Sequence, residues 1–135
     1  MSSPTHAQKQ AQSTTINDFL IVNKIGTGSY SEVFKVQRKS DGHVYALKKV
    51  SLENLSQKER ENALNEVRIL ASIKNENIIG YKESFVIDNG KTLCIVMDYA
   101  PDGDLYQAIC RNKKSRSYFP EEQVWRILIG SVQAL

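Results

Sequence analysis

Apolar and polar positions alternate with a period of two along the first third of the chain, the signature of half-buried strands. Residues 19–25 read as a first strand and residues 32–38 as a second. Ser40-Asp41-Gly42-His43 then supplies an Asp-Gly turn before a third strand over 44–50, which places Ala46 and Lys48 on one face and Leu47 and Lys49 on the other. The period then changes. Leu64, Val67, Leu70 and Ile73, with Ala63 beside them, recur at helical spacing, and Ser56-Gln57-Lys58-Glu59 fits a capping box at the start of that helix. Asn75-Glu76-Asn77 closes the helix. Residues 78–87 and 92–97 return to strand character, joined through Asp88-Asn89-Gly90-Lys91, whose Asn-Gly marks a hairpin. A short helix over 104–111 follows, and Pro120-Glu121-Glu122 opens a last helix with Val124, Ile127, Leu128, Val132 and Leu135 on its apolar face. The pattern predicts an α+β fold, a five-stranded antiparallel sheet with one helix inserted after its third strand and further helices behind.

Composition changes this picture little. The chain has 135 residues, 41% hydrophobic and 24% charged, which suits one soluble globular domain with a core. Its net charge of +3 is concentrated at Arg111, Lys113, Lys114 and Arg116, a run without interleaved aromatics that reads as a solvated loop rather than a nucleic-acid patch. Cys94 and Cys110 have neither the count nor the spacing of a disulfide framework or a metal site, which implies a reducing, cytoplasmic compartment. No apolar run has the length of a membrane span, and the first residues lack the core of a secretory signal. Neither a membrane nor a nucleic acid is expected as partner. Residues 1–17, rich in Ser, Thr and Gln, read as a flexible tail.

The candidate chemistry lies in Ile25-Gly26-Thr27-Gly28-Ser29-Tyr30-Ser31-Glu32-Val33. Two glycines one residue apart let a turn present backbone N–H groups without side chains in the way, as phosphate binding requires. A dinucleotide fold would open a helix after the glycines, and a P-loop would end in Gly-Lys-Ser/Thr. Here a strand follows. What remains is a glycine loop between antiparallel strands, covering a nucleotide like a flap, or an ordinary hairpin turn. One of the adjacent Lys48 and Lys49 points where the loop points, either toward phosphate or simply into solvent. Glu66, at the edge of the helical stripe, is a candidate partner for Lys48 or a solvated flank residue.

These segments, with Tyr45-Ala46-Leu47-Lys48, Asn65-Glu66-Val67-Arg68-Ile69-Leu70 and Ile95-Val96-Met97-Asp98-Tyr99, resemble in order and spacing the glycine loop, third-strand lysine, helix-C glutamate and hinge of eukaryotic protein kinases. Asn77-Ile78-Ile79-Gly80-Tyr81 and Gly103-Asp104-Leu105-Tyr106 further resemble the NIMA-related serine/threonine kinases. The resemblance implies a kinase N-lobe and hinge over 18–100 and the first two helices of a truncated C-lobe over 101–135. It also implies ATP as ligand. Gly26 and Glu32 would belong to the loop, and N–H groups of Thr27, Gly28, Ser29, Tyr30 and Ser31 would hold the β- and γ-phosphates. Ile25, Val33 and Ala46 would roof the adenine. Lys48 would bind the α- and β-phosphates, with Glu66 fixing its ammonium. Met97 matches the gatekeeper, Asp98 and Ala100 the hinge groups facing adenine, with Pro101 biasing Ala100 toward extended backbone. Asp104 matches an acidic position that contacts ribose, or is a charge at the start of the next helix. Leu70 and Tyr81 match spine positions, a role compatible with plain core.

Two departures qualify the resemblance. Ser31 stands where many kinases have a third glycine, and no His-Arg-Asp, Asp-Phe-Gly or Ala-Pro-Glu occurs. Those motifs carry the base, the Mg2+ ligands and the substrate platform. The residues therefore predict half of an ATP site, with magnesium ligands expected beyond Leu135 and a protein substrate only if the chain continues. This chain alone is expected not to transfer phosphate, and to leave its last helix with an unpartnered apolar face. Two functions fit: the ATP-binding portion of a NIMA-related serine/threonine kinase, or a non-catalytic truncated module acting through protein interaction. The family adds the centrosome, cilium or cytoskeleton as possible locations.

Overall fold

The computed structural model describes residues 13–135; of the expected tail, residues 1–12 lie outside the described residues. A 3-10 turn, Ile16–Asp18, leads into β1 (Phe19–Thr27), β2 (Ser31–Arg38) and β3 (Val44–Ser51). Helix α1 (Gln57–Ser72) precedes β4 (Tyr81–Ile87) and β5 (Thr92–Asp98), and α2 (Leu105–Ser115) and α3 (Glu121–Ala134) complete the order. The strands form one antiparallel sheet in the order β1-β2-β3-β5-β4. No helix among the described residues is long and apolar enough to cross a membrane.

The period of two resolves into two cores. On one face Phe19, Val36, Leu47, Cys94 and Val96 are buried, with Ile16, Phe34, Tyr45, Phe85 and Ile87 packed against them. On the other, Leu93 and Ile95 of β5 meet Leu52 and Val67, with Val50, Ala63, Leu70, Tyr81 and Met97 beside them. Central β5 is covered on both sides, which is why it reads as an apolar run rather than an alternation. Residues 14–18 strap the first core: Ile16 packs on it, the Thr14 hydroxyl donates to Glu83, and the Lys39 N–H donates to the Asp18 carbonyl at 2.9 Å. Arg38 sits over the Phe19 and Tyr45 rings and bonds Glu83.

Helix α1 starts as its capping box predicts, with the Glu59 N–H donating to Ser56 Oγ and the Ser56 N–H to the Glu59 carboxylate at 2.8 Å. Its packed side differs from the predicted stripe. Ala63, Val67 and Leu70 face the sheet, whereas Leu64 is exposed and Ile73 falls beyond the last turn with extended backbone. Ala63 lies one position before Leu64, so with Ala63 on the packed side Leu64 falls to the flank. The fourth strand starts at Tyr81 rather than 78, because the Asn75 side chain accepts from the Asn77 N–H and the Ile78 N–H turns back to the Asn75 carbonyl. Between β4 and β5, Asp88, Asn89 and Gly90 all adopt positive φ, a run that these residue types tolerate.

The basic run predicted as a loop is helical. Residue Asp104 caps α2, accepting the Gln107 N–H at 2.7 Å, and the helix continues to Ser115 before Arg116 ends it in the left-handed region. Lys113 and Lys114 thus occupy the last turn, where cations complement the helix dipole. Along α3, Val124, Trp125, Leu128, Ile129 and Val132 are exposed and only Ile127, Gly130 and Ala134 are partly covered. The apolar face expected from the sequence is present, and nothing among the described residues packs over most of it.

Candidate functional site

The β2–β3–β5 register decides which lysine faces the loop. Val33 pairs with Lys48, Lys48 with Ile95, and Ala46 with Met97, so these side chains share the face on which α1 lies. Lys49 is on the opposite face, its ammonium 5.3 Å from the Phe34 ring centroid. Lys48 Nζ comes 3.7 Å from Glu66 Oε1, with the lysine side chain 29% exposed and the glutamate 74%. An ion pair so open to water contributes only ~0–1 kcal/mol to stability. It orients an ammonium group. A cleft of about 230 Å³ brings Lys48 and Glu66 together with Ser29, Tyr30 and Ser31 of the loop and with Val50, Ala63 and Ile95.

The loop itself is a closed turn. Gly28 N–H donates to the Ser31 carbonyl at 2.7 Å, and the Tyr30 carbonyl accepts from Ser51 N–H at 2.9 Å, tying the tip to the end of β3. A Cβ on Gly28 would stand 2.7 Å from Ser31 Oγ. Ser31 therefore fills the space that a glycine would leave open. The Gly28 N–H is spent inside the turn, whereas Ser29 and Tyr30, among the described residues, direct theirs at no backbone acceptor. Gly26 pairs with Val33, and Thr27 with Glu32. Glu32 in turn pairs with Lys49, on the face away from Lys48, and its carboxylate bonds Lys24. The structure thus separates Glu32 from Lys48.

A second cleft, about 410 Å³, opens beside the end of β5. Ile25 borders it from the sheet, and Tyr99, Ala100, Pro101, Asp102, Gly103 and Asp104 from the connection to α2. Ala46 is buried, and Met97 is half-buried against the core beneath α1. Asp104 borders the cleft while one carboxylate oxygen caps α2, so both readings of that residue find a place in the geometry. Asp98 has a side-chain role that periodicity did not signal. Its carboxylate takes the Gly80 N–H at 3.1 Å and lies 2.9 Å from Lys82 Nζ, and this hydrogen bond raises the lysine pKa above its ordinary value. No three His, Cys, Asp or Glu side chains among the described residues converge as a metal site would require.

A family model described as protein kinase domain matches residues 19–135. The chain is 35% identical over 120 residues to "Probable serine/threonine-protein kinase nek2" of Dictyostelium discoideum, covering 89% of this chain and 29% of that protein. It is 37% identical over 115 residues to "G2-specific protein kinase nimA" of Emericella nidulans, covering 85% and 16%. Over 106 residues it is 40% identical to "Serine/threonine-protein kinase Nek1" of Mus musculus, covering 78% and 8%. The chain spans less than a third of the length of each of these relatives.

Proposed function

Because the chain belongs to the protein kinase family, we propose that it is the ATP-binding portion of a NIMA-related serine/threonine kinase, transferring phosphate from ATP to protein hydroxyls in the cytoplasm. One observation carries the reading: the Lys48 ammonium stands 3.7 Å from Glu66 beneath a loop whose tip residues share its cleft. Lys48 supplies a positive charge to the α- and β-phosphates, and Glu66 holds that charge in one place, so little reorganisation is left when the phosphates arrive. The free N–H groups of Ser29 and Tyr30 are the loop donors in reach of the outer phosphates. Ile25, Val33 and Ala46 form the apolar roof, and Met97 with the backbone of Asp98 and Ala100 receives the base.

Magnesium, when bound, neutralises charge on the phosphates. The carboxylates in the described residues form no cage for it, so its ligands are to be sought among other residues of the protein. The test is ATP titration by calorimetry on the protein and on its Lys48→Met variant. Loss of binding in the variant with an unchanged unfolding midpoint supports the reading. Equal binding by both proteins rejects it.

A further inference from the structure

Helix α1 meets the sheet along a narrow side, through Ala63, Val67 and Leu70, of which only Val67 is buried. Its placement therefore depends on what holds its two ends. At the start this is Leu52, just ahead of the helix, which is buried in the second core and whose N–H donates to the Lys91 carbonyl at 2.7 Å. Behind its last turn, residues 75–80 are held at two points. The Asn75 side chain donates to the Gln133 carbonyl at 2.9 Å, the Asn77 side chain donates to Gln133 Oε1 at 3.3 Å, and a Cβ on Gly130 would stand 3.3 Å from Asn77 Oδ1. That fixes the segment on α3. Its other end is fixed on the hinge: Asp98 N–H donates to the Gly80 carbonyl at 2.9 Å, and Gly80 N–H donates to Asp98 Oδ2 at 3.1 Å. A Cβ on Gly80 would lie 2.5 Å from that same oxygen, so a larger residue there displaces the carboxylate from the N–H.

We infer that the Asp98 carboxylate is a positioning residue for the nucleotide site, acting through Gly80 to hold the segment behind α1 and so to set where Glu66 meets Lys48. The assignment rests on the nucleotide reading proposed above. A carboxylate accepting a backbone N–H makes a charge-assisted bond that holds direction as well as distance. The ion pair to Lys82 is half exposed and contributes little to this hold. Asp98 thereby serves the site twice, its backbone facing the base and its side chain holding Gly80 in the segment that follows the helix carrying Glu66.

The test compares Asp98→Ala, Gly80→Ala, Asp98→Asn and Lys82→Met in the protein at its natural length. ATP affinity is read by calorimetry, and exchange of the amides in residues 75–80 by mass spectrometry. Asp98→Ala and Gly80→Ala each weaken ATP binding about tenfold, the scale of one lost hydrogen bond to a charged group. The double variant is no weaker than the worse single, because both remove one contact. Asp98→Asn keeps an oxygen for the Gly80 N–H but not its charge and falls between wild type and Asp98→Ala, whereas Lys82→Met stays near wild type. Exchange over 75–80 speeds up in the two alanine variants only. Wild type binding ATP with Asp98→Ala unchanged overturns the positioning role alone, as does an Asp98→Asn variant as weak as Asp98→Ala. Wild type failing to bind ATP overturns the nucleotide reading instead.

Discussion

The middle of the sheet and the last helix are opposite solutions to the same demand that apolar side chains leave water. Leu47, Cys94 and Val96 have no exposed surface at all, because β3 and β5 are flanked by strands and covered on both faces. Leu128 and Trp125 of α3 are as apolar, yet 52% and 55% exposed, and among the described residues only the Asn75 and Asn77 side chains bond across to that helix. The difference teaches that an amphipathic pattern states a need for a partner and does not supply one. Sheet strands partner each other within 19–98, whereas α3 does not complete its packing among the described residues.

The contrast can be tested by substitution, beginning with the largest effect. Leu47→Ala opens a cavity in a site with no slack and should cost about 2–5 kcal/mol in urea denaturation. A loss below half a kilocalorie would mean that the sheet core collapses around the gap. Ser56→Ala removes the α1 cap and should cost about 1 kcal/mol. Its bonds to Ser56 hold the Glu59 carboxyl below its ordinary pKa of 4.5. A depressed folded pKa means a contribution present above the ordinary value and lost as pH falls through the folded one. The wild-type advantage over Ser56→Ala should therefore shrink on acidification, and a gap constant down to pH 3 would contradict the capping geometry.

Leu128→Ser should change stability by no more than about 0.5 kcal/mol while reducing concentration-dependent association, as seen by analytical ultracentrifugation. A large loss of stability would show that α3 is packed after all. The smallest effect concerns the cysteines. Burial pushes the Cys94 thiol up to about 11, so iodoacetamide at pH 8 should leave Cys94 unlabelled and modify the half-buried Cys110. Labelling of Cys94 in the native protein would mean that the sheet opens readily.

Most of the sheet was legible because its signals are local. Alternation, an Asp-Gly and an Asn-Gly turn and one capping box are each contained in a few residues, and all appear where the sequence put them. What escaped was decided at a distance. Gly80, just before β4, is held by Asp98, eighteen positions further on, and the side of α1 that packs is set by the core residues that meet Ala63, Val67 and Leu70. The basic run gave no sign of being helical, because its stop is a single left-handed residue, Arg116, rather than a glycine. Within the site, the period of two correctly separated Lys48 from Lys49, and the structure brings Glu66 to Lys48 as expected. Neither the spent N–H of Gly28 nor the placement of Glu32 on the far face is stated by the glycine motif, since the first follows from how the turn closes and the second from strand register.

The glycine loop hangs from the outermost strand. Strand β1 has a neighbour on one side only, and its pairing with β2 slips between Ile21 and Asn23 and again between Lys24 and Gly26. Such slips act as creases in an otherwise stiff ribbon. The ladder is thus interrupted at its β1 edge, while the β2–β3 and β3–β5 pairings run without a slip, so amide exchange in this part of the sheet should begin at those two breaks.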